Sequence, residues 1–182
     1  MRSPMLTRLF VRGGLAALCA LSLSGCIDSG SPILANAEPV FGHQLRLQFY
    51  SLRNGVVDDP EQASYRWNGT SYAHAGGGMS DIAALTVHPF EKGEFIVQSV
   101  PAKKNGGIEY AVMRPLAEGV FMVVPVDEDD AEPPLRAANC KPAGHSCRIE
   151  TRDQLFAFAK ATAARRKSNG GLVLRLPDGP AR

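Results

Sequence analysis

Residues 95–124 read FIVQSVPAKKNGGIEYAVMRPLAEGVFMVV, and this stretch decides the fold class. Phe95 to Val100, Ile108 to Met113 and Val120 to Val124 are rich in β-branched and aromatic residues. Lys104-Asn105-Gly106-Gly107 and Ala117-Glu118-Gly119 separate them with turn chemistry. Runs of that length and composition are strands, and connections this short make consecutive strands antiparallel neighbours. Val120 to Val124 lacks polar alternation, which predicts the most buried strand.

Upstream, Leu45, Leu47 and Phe49 alternate with Arg46, Gln48 and Tyr50, the pattern of a half-buried strand. Tyr65-Arg66-Trp67-Asn68-Gly69-Thr70-Ser71-Tyr72 is a hairpin signal. Asn68-Gly69 suits a two-residue type I′ turn, which sets Trp67 opposite Thr70 and Tyr65 opposite Tyr72 on one aromatic face. Gly76-Gly77-Gly78 is a break, and Ile82 to His88 is a further apolar strand. Downstream, Asp127 to Pro134 (DEDDAEPP) reads as an acidic surface loop. The one clear helix is Arg152 to Lys167. Thr151 and Gln154 form a capping box, and Leu155, Phe158, Ala159, Thr162 and Ala163 share one face. Leu172 to Leu176 is a final short strand. The sum is an α+β domain: an antiparallel β-meander of about five to seven strands with one C-terminal helix packed on it.

The start of the chain has a different character. Met1 to Val11 is basic, and Gly13 to Leu23 (GGLAALCALSL) carries no charge. Eleven apolar residues are too few to span a bilayer, for which about 20 are needed, so the run fits a signal-peptide core. It ends in Leu23-Ser24-Gly25-Cys26. These four residues resemble the lipobox of the bacterial lipoprotein signal class. The resemblance implies removal of residues 1–25, a diacylglycerol on the Cys26 thiol and anchorage to a membrane through lipid. Ile27 stands where an Asp would retain such a protein in the inner membrane, which points to the outer membrane, facing the periplasm. Residues 26–40 then read as a lipidated N-terminus and flexible tether, and residues 41–182 as a single domain. Without residues 1–25 the chain holds 17 basic against 18 acidic side chains, about −1 in all, so its overall +2 is no argument for a nucleic-acid partner.

Two cysteines remain after Cys19 and Cys26. Cys140 and Cys147 flank Lys-Pro-Ala-Gly-His-Ser, a turn-rich hexapeptide that can bring them together, and an exported chain meets an oxidising compartment. A disulfide is the favoured reading. Zinc on Cys140, His145 and Cys147 is the sharper alternative, and no CxxC or HxxxH spacing supplies a fourth ligand.

Catalytic motifs are absent: there is no GxSxG, HExxH, GxxxxGK[ST] or GxGxxG. Tyr72 to Asp81 is the one stretch with the ingredients of a triad, His74 with Ser71 or Ser80 and Asp81. Asp127-Glu128-Asp129-Asp130 lacks the spacing of a calcium loop, and Arg165-Arg166-Lys167 is accounted for by the helix dipole. No cofactor is implied. The reading favours a non-enzymatic envelope module that binds or braces another envelope protein or a cell-wall component. A small periplasmic hydrolase built on Tyr72 to Asp81, or an envelope inhibitor protein, is the alternative.

Overall fold

The computed structural model describes residues 27–53, 56–57, 59–79, 81–103, 107–143, 146–165 and 170–177. In chain order the strands are β1 (Ile27–Ser29), β2 (Gln44–Arg53), β3 (Val56–Val57), β4 (Glu61–Trp67), β5 (Tyr72–Gly77), β6 (Ile82–Pro89), β7 (Phe95–Pro101), β8 (Ile108–Ala117) and β9 (Val120–Pro125). Helix α1 (Pro133–Asn139), the hairpin of β10 (Lys141–Ala143) and β11 (Ser146–Arg148), helix α2 (Arg152–Ala164) and strand β12 (Gly170–Leu176) follow.

Eight strands close on themselves. β2, β4, β5, β6, β7, β8, β9 and β12 pair antiparallel in that order, and β12 returns to β2 with Val173 opposite Phe49. This corrects the α+β expectation: the fold is mostly a closed antiparallel β-barrel with two short helices, not an open sheet with one. The physical reason is plain. Alternation along a strand is identical in open and closed sheets, whereas closure joins residues 46–52 to 170–176 and leaves no local trace. The acidic loop expected over Asp127 to Pro134 runs into the second helix, α1, at its last two residues, Pro133 and Pro134. Those prolines occupy the first turn of α1, where a missing N–H costs nothing.

Two cores result. Inside the barrel lie Leu45, Leu47, Ala63, Tyr65, Tyr72, Leu85, Val87, Met113, Phe121 and Val173. Outside it, Ile96, Ile108, Tyr110 and Val112 from the outer face of β7 and β8 pack against Leu155, Phe158 and Ala159 of α2. The capping box at the start of α2 forms, with Gln154 N–H donating to Thr151 Oγ1 and Thr151 N–H to Gln154 Oε1. β9 is not the most buried strand. Only Phe121 is fully buried in it, because a barrel wall shows every second residue to the outside.

Residues 27–34, expected as tether, are docked. Ile27 is 1 % exposed and β1 pairs with both β8 and β11. On the barrel's outer face Gln98 Oε1 accepts from the N–H groups of Ile33 (3.0 Å) and Leu34 (3.1 Å). Tyr110 Oη lies 2.6 Å from Ser29 Oγ. A buried glutamine on an outer wall is therefore spent on holding the chain's own N-terminal segment.

Candidate functional site

The barrel is sealed at one end. Phe41, just ahead of β2, lies over it with its ring 5.7 Å from that of Phe95 and 5.4 Å from that of Phe121. Its N–H donates to Tyr72 Oη at 3.0 Å, and the Tyr72 hydroxyl donates to Gly42 O at 2.9 Å. Burial raises the Tyr72 hydroxyl pKa, opposed by the Phe41 N–H and by the charge of Arg175. The Arg175 guanidinium sits 5.7 Å from the Phe41 ring.

Toward the other end the lining changes. Phe49, Val97, Ala111 and Val123 share the inward parity of the barrel core, yet each is only half-buried. Ser51, Ser99 and Gly171 follow at the rim with the same parity. Trp67 and Phe95 at the first end are half-buried as well, so both barrel ends grade outward from the core, and the end away from Phe41 is the candidate mouth. An eight-stranded barrel is just wide enough either to be filled by side chains or to hold one small ligand, and here the sealed half does the first.

One side of that mouth is crossed by the glycine-rich turn between β5 and β6. Gly76 (φ +136°), Gly77 (φ +92°) and Met79 (φ +56°) are all left-handed. A Cβ at Gly77 would collide with Gln62 O, and Gly78 N–H donates to that same oxygen at 2.6 Å. The turn therefore needs glycine both for φ and for close approach. It tucks Met79 into the barrel's core cluster at 8 % exposure.

His74 stands on the wall beside this turn. Its Nε2 donates to Gly78 O at 3.1 Å, and its ring meets Tyr65 edge-on at 5.5 Å. The Tyr65 hydroxyl is buried with no hydrogen-bond partner among the described residues, and burial drives its pKa upward.

The structure distributes the remaining sequence candidates as follows. Ser71 lies at the sealed end, its N–H held by Asn68 Oδ1. Asp81 is exposed in the turn before β6, and its carbonyl accepts from Ala102 N–H. His74 is thus hydrogen-bonded to a carbonyl, not to Ser71 or Asp81. Ser80, His145 and Cys26 lie outside the described residues. Cys140 and Cys147 are joined as a disulfide with Cα atoms 5.3 Å apart. Glu128 brings a carboxylate within 4.8 Å of both sulfurs. Bonded sulfurs offer no thiolate, so the cluster in this state is a staple and not a metal centre. Burial raises the Glu128 pKa, opposed by the charge of Arg136 and reinforced by those of Asp129 and Asp127.

Sequence reasoning missed the mouth and the Gln98 network. For the network a signal existed: Gln98 interrupts an otherwise apolar run, and a buried amide in a strand demands partners. For the mouth none existed, because parity identifies inward residues only once the sheet is known to close. No family model, curated protein or solved structure matches the chain.

Proposed function

We propose that this chain is a lipid-anchored envelope protein, held through Cys26 in the outer membrane and facing the periplasm. Its barrel is a non-enzymatic module that binds a small apolar or amphipathic ligand in its open half. The observation that supports the binding role is that Phe41 covers the half-buried rings at one end, whereas Phe49, Val97, Ala111 and Val123 line the other as half-buried inward residues. Ligand sites of this kind are concave, mostly apolar and carry a few polar groups, here Ser51 and Ser99 at the rim and His74 on the wall. The lipobox at Leu23-Ser24-Gly25-Cys26 supports the anchorage.

Two measurements test this. Titration with an apolar fluorescent probe should saturate at one site, and Ala111→Phe, which fills the mouth, should weaken binding about tenfold, equivalent to ~1.4 kcal/mol. Unchanged binding would remove the barrel from the reading. Separately, Cys26→Ala should abolish incorporation of labelled palmitate and leave unprocessed or soluble protein. Retained label would exclude acylation at this residue.

A further inference from the structure

We infer that the outer wall of β9 and β12 is the face this domain lays on the bilayer that carries its anchor, an inference resting on the reading of Cys26 as the acylated residue. Phe121, Val123 and Val173 point into the barrel, so Val120, Met122 and Val124 of β9 and Leu172 and Leu174 of β12 point out. Register sets Leu172 beside Met122 and Leu174 beside Val120, which makes one continuous apolar strip. These five residues belong to neither core and are only half-buried. Antiparallel sheets usually show water a polar face, and this barrel does so two strands from β12, with Gln62, Ser64 and Arg66 on the outer side of β4. The strip is a local departure from the barrel's own pattern.

Ile27, next in sequence to the residue read as the anchor, lies at the edge of the strip. Ile27 N–H donates to Val126 O at 3.3 Å, and Val126 is two residues beyond Val124, about 7 Å of extended chain. A free tether would leave the domain able to turn any side to the membrane. The docked residues 27–34 remove that freedom, since Gln98 and Tyr110 hold them against the wall. Acyl chains fixed so close to the strip bring bilayer and strip together, and an apolar face sinks about 5–10 Å into the headgroup boundary.

The test uses the full processed chain in vesicles of phosphatidylethanolamine and phosphatidylglycerol with brominated acyl chains. Met122→Trp, Leu174→Trp and Gln62→Trp each add one indole, read by difference against the parent with Trp67 alone. Bromination should quench the indoles at 122 and 174 about twofold more than the one at 62, as an interfacial face requires. Equal quenching at 62 and 122, or none at 122, overturns the inference. So does a soluble Cys26→Ala dimer that Met122→Glu makes monomeric, since a second copy would then cover the strip. The mass of the vesicle-bound protein reports acylation independently. Acylated protein unquenched at 122 and 174 sinks this inference alone, whereas an unacylated mass sinks the anchor reading and this inference with it.

Discussion

Gln98 and Leu34 exchange hydrogen bonds in both directions: Leu34 N–H donates to Gln98 Oε1 at 3.1 Å, and Gln98 Nε2 donates to Leu34 O at 3.4 Å. The side-chain amide does for residues 33–34 what a neighbouring strand would do, so the N-terminal segment docks without extending the sheet there. Gln98→Leu preserves bulk and removes every one of those bonds, leaving the N–H groups of Ile33 and Leu34 without it. Chemical denaturation should show a loss of about 2–4 kcal/mol. Limited proteolysis should begin to cut within residues 27–34, and an uncut segment would mean that Gln98 is not what holds it.

The same network makes a pH prediction. Thr86 Oγ1 accepts from Gln98 Nε2 at 3.1 Å and lies 2.9 Å from His88 Nε2. Burial, then the charge of Arg152, lowers the His88 pKa below its ordinary 6.5. A group whose folded pKa is depressed contributes stability that is present above the unfolded value and lost as pH falls beneath it. The denaturation midpoint should therefore drop as pH falls below about 6.5, the ordinary value for histidine. His88→Gln should flatten that drop, and an unchanged acid profile in the variant would exclude His88 as its source.

At alkaline pH the tyrosines act. Tyr65 and Tyr72 both have pKa values raised by burial above the ordinary 10.0, so stability is intact below that value and lost as pH climbs past it. Tyr65→Phe deletes an unpartnered hydroxyl and should be neutral or stabilising by about 1 kcal/mol at neutral pH. It should also reduce the alkaline loss. A marked destabilisation at neutral pH would show that the hydroxyl has a hidden partner.

Met79 bears on access to the mouth. Met79→Ala removes the side chain that the glycine turn tucks into the interior cluster. It should cost about 1–3 kcal/mol, toward the low end of core truncations because the site is at the rim. Apolar-probe binding should strengthen in the same variant. Weaker binding would place Met79 among the ligand's contacts instead.

The disulfide closes a short loop, and Cys140→Ser should lower stability by about 2–3 kcal/mol, with Cys140→Ser/Cys147→Ser similar because one bond is lost either way. The protein purified without reductant should weigh two hydrogens less than its reduced form and be indifferent to chelator. Two free thiols or bound zinc would refute the staple.

How much of this was legible in the sequence is clearest at the hairpin of β4 and β5. The reading placed a two-residue turn at Asn68-Gly69. The structure instead closes four residues: Asn68 N–H donates to Ser71 O, and Asn68 Oδ1 accepts from Thr70 N–H and Ser71 N–H. Trp67 therefore faces Tyr72, and Tyr65 faces His74. Asn68 supplied its turn through its side chain, an option that local sequence offers equally. The slip between partners is an even number of residues, so Tyr65, Trp67 and Tyr72 kept their common face, and that face became the barrel interior. Parity survives errors of this kind, whereas closure is invisible to parity. The candidate residue His74 was legible as a chemistry-bearing side chain. Its mooring to Gly78 O was not, because that depends on how the glycine turn folds back.

Closure between β2 and β12 also governs when this chain can fold at all. The strand that completes the ring, residues 170–176, is synthesised long after its partner β2, residues 44–53. Until it arrives, β2 and β9 each present an unpaired edge, so no shorter piece of the chain reaches the edge-free state. Pairing across so long a separation is also slow, because the loop entropy must be met before the contacts form. This is a timing device written into topology. The barrel stays unmade until its closing strand β12 has emerged from the ribosome.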